Sequence, residues 1–101
     1  METQLETKTT NKIEYPSNWH VIFWNDETTP MGFVVYVLKE IFNFEENDAF
    51  QQMLKIHNEG SAIVGSYLKS IAESKAMLAT KASERAGFPL KVTIEKESTN
   101  E

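Results

Sequence analysis

The sequence contains no cysteine, only four glycines and three prolines, and no long apolar run. The absence of cysteine excludes disulfide frameworks, thiolate metal sites and cysteine nucleophiles. No segment approaches the roughly eighteen consecutive apolar residues of a membrane span, and the first residues do not resemble a signal peptide. We therefore expect a soluble cytoplasmic protein with no membrane partner.

Positive charge is also scarce. The chain has ten Lys and Arg residues against fifteen Asp and Glu residues, a net charge of −5. Residues 25–59 contain seven acids and two lysines, so this segment alone carries a charge of −5. Nucleic-acid binding proteins neutralise phosphates with clustered cations, and we expect no such partner here. An acidic segment instead favours a cationic ligand.

Hydrophobic patterning predicts six elements in the order β-α-α-β-α-β. The segments WHVIFW (19–24), SAIVGS (61–66) and PLKVTIEK (89–96) have the composition or alternation of strands. Apolar residues spaced three and four apart predict helices over about 30–43, 45–59 and 68–86. Three strands with helices over one face form an α+β fold, a three-stranded antiparallel sheet packed against three helices.

Composition also divides the chain. Residues 1–18 are mostly polar, cannot bury enough surface to offset their ordering entropy, and are predicted to form a disordered tail. Residues 19–96 are the predicted core, and 97–101 a disordered C-terminal end. Within the core we expect Thr29 to cap the first helix with Pro30 as its first residue. The same spacing places the following residues on one side of the third helix: Leu68, Ile71, Ala72, Lys75, Leu78, Ala79 and Ala82.

Two segments place polar side chains beside methionines, NDETTPM (25–31) and QQMLKIHNEG (51–60). Met31 and Val34 share one face of the first helix, and Met53, Ile56 and His57 share one face of the second. If these helices are neighbours, the apolar residues line a small cavity that suits a ligand with a hydrophobic body and an ammonium head. The predicted rim of this cavity consists of Asn25, Asp26, Glu27 and His57.

Other interpretations of the same residues are possible. Asn-Asp before a helix is ordinary turn chemistry, and methionines at helical spacing often fill a core. A metal site of His57 with Asp26 or Glu27 is conceivable but has few ligands. The sequence has no Ser-His-Asp pattern, Gly-rich phosphate loop or His-x-x-x-His pair. We therefore expect a binding module without a cofactor or metal, and no enzyme.

The pattern resembles the ClpS family, bacterial adaptors that deliver N-degron substrates to the ClpAP protease. The resemblance spans about Trp19 to Lys96. Its markers, in order, are Asn25-Asp26, Thr29-Pro30-Met31, Phe33-Val34-Val35, Val37-Leu38, Met53, His57, Gly60, Ala72-Glu73-x-Lys75 and Pro89-Leu90.

The resemblance implies a ClpS-like fold that binds the free N-terminal Leu, Phe, Tyr or Trp of a polypeptide. Asn25, His57 and an acidic side chain, Asp26 or Glu27, would hold the α-amino group. Many family members carry aspartate at the position of Glu27, and Trp24 replaces an aliphatic residue. The implied pocket for the first side chain consists of Thr29, Met31, Val34, Met53, Ile56 and Leu90.

The resemblance also implies a second surface, which docks on the N-terminal domain of ClpA and alters its choice of substrates. Glu73 and Lys75 match that surface, and the tail would assist substrate hand-off. We expect a monomer. The alternatives are a small structural domain, similar to that of ribosomal stalk proteins, and an inhibitory ClpA-binding domain, both without an N-degron pocket.

Overall fold

The computed structural model describes residues 16–98. Within them the order β-α-α-β-α-β is confirmed, and so is the α+β class. The elements are β1 (Asn18–Trp24), α1 (Met31–Glu40), α2 (Glu46–Glu59), β2 (Ser61–Leu68), α3 (Lys69–Ala86) and β3 (Lys91–Lys96). The predicted disorder of 1–18 and 97–101 falls mostly outside the described residues and stays a prediction; β1 begins at Asn18.

The sheet has the order β2-β1-β3, with both strand pairs antiparallel. The most apolar strand, β1, is central, and its residues Val21, Ile22 and Phe23 are all buried. Val21 and Phe23 join the hydrophobic core that the helices complete. The ring of Phe42, just after α1, packs edge-on against Phe23 with 5.4 Å between centroids.

Strand β2 extends to Leu68, two residues beyond the predicted segment, and Gly65 does not interrupt it. The register of β1 against β2 shifts between Val21 and Ile22, and Gly65 lies opposite Val21. A β-carbon at Gly65 would collide with the ring of Tyr67. The glycine therefore leaves space for that ring.

The start of α1 differs from the prediction. Pro30 is the N-cap: it has extended backbone angles, and its carbonyl accepts hydrogen bonds from the N–H groups of Phe33 (3.0 Å) and Val34 (3.3 Å). Thr29 does not cap the helix, because its hydroxyl donates to the Asp26 carboxylate instead. The prediction for Thr29 was wrong by one position.

The predicted side of α3 is buried only in part: Ala72 and Ala79 are buried, and its larger apolar residues are exposed. Leu68, Ile71 and Leu78 are 46%, 44% and 57% exposed. The buried face of this helix consists of small residues, Ala72, Ala79 and Ser83. Small side chains let the helix lie close to the sheet, and the larger apolar residues lie beside this buried stripe, exposed to solvent.

Candidate functional site

A cavity of about 480 Å³ opens where the loop after β1 meets helices α1 and α2. Its lining consists of Asn25, Asp26, Glu27, Thr28, Thr29, Pro30, Met31, Val34, Met53, Ile56 and His57. The predicted convergence of the two segments is therefore present. Thr28 and Pro30 were not predicted, although their position between predicted residues of one loop was a usable signal.

Leu90 is not among the residues that line this cavity. It is buried in the core, just before β3. The other predicted pocket residues divide by depth. Met53 and Ile56 are buried at the floor, and Met31 is 44% exposed at the mouth.

The polar rim is held in place by a backbone hydrogen bond. The N–H of Asn25 donates to the carbonyl of Gly60, with 2.9 Å between nitrogen and oxygen. Gly60 ends α2, the helix that carries His57. Thus the end of β1 is tied to the end of α2, and the exposed side chains of Asn25 and His57 border the same opening.

The loop itself is organised by Asp26. Its Oδ1 accepts hydrogen bonds from the N–H groups of Thr28 (2.8 Å) and Thr29 (2.7 Å). Its Oδ2 accepts one from the Thr29 hydroxyl at 2.8 Å. Both carboxylate oxygens are therefore used within the loop, as expected of an Asx turn. Glu27 is exposed, and its carboxylate has no such partner among the described residues.

These bonds set the charge state of Asp26. Burial raises the pKa of its carboxyl, but the hydrogen bonds from Thr29 N–H, from the Thr29 hydroxyl and from Thr28 N–H outweigh this effect. The pKa of Asp26 consequently lies below its ordinary value. The loop carries a carboxylate at neutral pH, and the cavity mouth is acidic.

Trp24 lies outside this cavity. Its indole N–H donates to the Thr93 hydroxyl at 2.9 Å, and the ammonium of Lys91 sits 5.2 Å from the ring centroid. The side chain of Trp24 therefore packs against β3 and does not line the cavity.

Of the two predicted docking residues, Glu73 and Lys75, only Lys75 makes contacts through its charged group within the part of the chain that the structure describes. Its ammonium donates to the carbonyl of Ile41 at 2.8 Å and lies over the rings of Phe42 and Tyr67, 5.6 and 5.5 Å from their centroids. Glu73 is exposed on α3. The two residues therefore differ in their surroundings, although both belong to one helix.

Within residues 16–98, no three His, Asp or Glu side chains are grouped so that they could hold a metal ion. In the same part of the chain, each helix is too short or too polar to cross a membrane.

Comparison with known proteins adds the decisive observation. The family model "ATP-dependent Clp protease adaptor protein ClpS" matches residues 14–93. The chain belongs to the ClpS family. The ClpS adapter of Leptothrix cholodnii is 42% identical over 88 residues, which cover 87% of this chain and 76% of the relative. That of Maricaulis maris is 42% identical over 95 residues, covering 94% and 87%.

A solved structure agrees with this membership. The structure of Agrobacterium tumefaciens ClpS2 bound to L-phenylalaninamide superimposes with a TM-score of 0.80 and 41% sequence identity. The match covers 82% of this chain and all of the ClpS2 chain. The ClpS fold is therefore established for this protein, and its family is one of protease adaptors rather than of known enzymes.

Proposed function

We propose that this protein binds the free N-terminal Leu, Phe, Tyr or Trp of N-degron polypeptides and delivers them to the ClpAP protease. The observation that carries the proposal is the cavity with a buried apolar floor and polar acceptors at its mouth. The phenylalaninamide bound to Agrobacterium ClpS2 is a ligand of this chemistry, an aromatic side chain beside a free amine.

The α-amino group is assigned to Asn25, His57 and Glu27. An ammonium needs acceptors, and each charge-assisted hydrogen bond contributes about 1.5–3 kcal/mol. Glu27 is favoured over Asp26 because both Asp26 oxygens already accept hydrogen bonds from the loop. Asp26 instead holds the loop in shape and adds negative charge near the amine.

The first side chain is assigned to the apolar part of the cavity. Thr29, Met31, Val34, Met53 and Ile56 contribute to it, and Leu90 supports it from the core. Burying a Leu or Phe side chain contributes roughly 1.5–3 kcal/mol. Together with two or three bonds to the amine, this approaches the ~8 kcal/mol of a micromolar complex before association costs.

The exposed face of α3 is assigned to the N-terminal domain of ClpA. Ile71 and Leu78 present apolar surface on one flank of the helix, and Glu73, two positions after Ile71, is exposed on the other flank. Lys75 contributes by fixing the helix to the end of α1 through Ile41. We place the protein in the cytoplasm as a monomer that carries one degron at a time.

The test of this function compares two peptides that differ only in acetylation. A fluorescent peptide beginning with Leu is expected to bind at least about tenfold more tightly with a free amine than after acetylation, because acetylation removes the charge and leaves the acceptors unpaired. Fluorescence anisotropy measures both affinities, and a free-amine peptide beginning with Ser is the control for the side-chain pocket. Equal affinities for the two Leu peptides would contradict the amine contacts.

Delivery needs its own experiment. ClpAP degradation of a reporter beginning with Leu is expected to require this protein, and a chain without residues 1–17 should bind the peptide normally but deliver it poorly. Undiminished degradation with the shortened chain would refute a role of that segment in hand-off. Capture of ClpA without any peptide binding would instead favour the alternative, an inhibitory ClpA-binding domain.

A further inference from the structure

The residue that joins the two halves of the amine site is Gly60, which does not itself offer a side chain to a ligand. Its N–H donates to the carbonyl of Ile56 at 2.9 Å and thereby ends α2. Its carbonyl accepts the N–H of Asn25, also at 2.9 Å. One residue therefore links the helix of His57 to the loop of Asn25.

This double contact depends on an unusual backbone conformation. Gly60 has φ 90° and ψ −26°, in the left-handed region that residues with a β-carbon adopt only at a cost. In that conformation the chain leaves α2 and enters β2 at once, with Ser61 paired to Trp24. A negative φ would rotate the peptide that follows and move its carbonyl away from Asn25.

We propose that Gly60 is a positioning residue for α-amine recognition: its left-handed conformation fixes the separation between the side chains of Asn25 and His57. This inference rests on the proposed function. An amine held by two or three short hydrogen bonds requires acceptors at fixed separations, since hydrogen bonds weaken steeply away from their preferred distance and angle. A shift of the Asn25 loop relative to α2 therefore weakens amine binding while the apolar floor stays intact.

The chain provides a matched control at Gly87. This glycine ends α3 with φ 81°, also left-handed, but its N–H donates to Glu84 and it has no bond to the binding loop. A β-carbon added at Gly60 or at Gly87 would meet no other atom within 4 Å. Alanine at either position thus places a β-carbon on a left-handed backbone without a collision.

The experiment compares Gly60→Ala with Gly87→Ala. Both variants should lose a similar amount of thermal stability. Only Gly60→Ala should bind the free-amine Leu peptide about three- to tenfold more weakly, the effect of one displaced hydrogen bond. Its affinity for the acetylated peptide should not change, so the ratio between the two peptides falls. Gly60→Asn should restore most of the affinity, because asparagine tolerates the left-handed region.

Several results would overturn the inference. One is wild-type affinity in Gly60→Ala, and another is an equal loss of affinity in Gly87→Ala. If Gly60→Ala does not fold, hydrogen exchange of the wild-type Asn25 amide decides: protection from exchange supports the bond to Gly60, and the fast exchange of an open loop refutes it. A wild-type protein that does not distinguish the two peptides would contradict the proposed function itself, which is a different outcome.

Discussion

Replacing Asp26 and Glu27 one at a time by alanine should separate the formation of the loop from the binding of the amine. Both replacements remove one negative charge from adjacent positions, so their long-range electrostatic effects are matched. Asp26→Ala removes the acceptor of three hydrogen bonds of 2.7–2.8 Å. Glu27→Ala removes an exposed carboxylate at the cavity mouth.

The expected magnitudes differ. Loss of an Asp that accepts hydrogen bonds from N–H groups of its loop costs about 0.5–1.5 kcal/mol. Taking about 1 kcal/mol, since Asp26 is partly exposed, the midpoint of thermal unfolding falls by about 4–8 °C in a domain of this size. Glu27→Ala leaves this midpoint nearly unchanged. It lowers the affinity for the free-amine Leu peptide by about tenfold, the equivalent of about 1.4 kcal/mol.

Circular dichroism at pH 7 measures the unfolding midpoints, and fluorescence anisotropy measures peptide affinity on the same samples. Asp26→Ala is expected to lower the peptide affinity as well, because the binding loop is less ordered without the hydrogen bonds to Asp26. The decisive variant is therefore Glu27→Ala, which should bind poorly while staying fully stable. If Glu27→Ala binds within about twofold of wild type, the assignment of the amine to Glu27 is refuted.

Three further predictions concern pH, side-chain choice and the second surface. The stability that Asp26 contributes is fully present above its ordinary pKa of 3.8, and it is lost as pH falls through the lower native pKa. In acid unfolding experiments, the free energies of unfolding of wild type and Asp26→Ala should therefore converge only below about pH 4. Met31→Ala should widen the cavity mouth and admit peptides beginning with Ile or Val; continued refusal of both by anisotropy would place the discrimination elsewhere. Lys75→Met should lower thermal stability, by about 1 kcal/mol, because the Ile41 carbonyl loses its donor and the Tyr67 ring its cation; an unchanged unfolding midpoint would show that these contacts contribute nothing.

The part of the fold that was predictable from the sequence is the part governed by regular periodicity. The order of elements followed from such patterns. The meeting of Asn25 and His57 followed from helical spacing and a turn. The face of α3 followed only in part, because the predicted side held the buried Ala72 and Ala79 together with the exposed Ile71 and Leu78. Helical spacing alone does not reveal that Ala72 and Ala79, rather than Ile71 and Leu78, face the sheet.

The division of labour between Asp26 and Glu27 lay beyond sequence reasoning for a different reason. The two acids are adjacent, and only the backbone angles of the loop decide which carboxylate meets the N–H groups of Thr28 and Thr29. Because the Asp26 bonds fix the loop, the backbone of Glu27 has little freedom to move toward a bound amine. The additional methylene of glutamate, relative to the aspartate that the family resemblance implies here, must then be accommodated by side-chain torsions alone. Glu27→Asp should therefore retain amine binding, since the shorter side chain extends from the same fixed backbone.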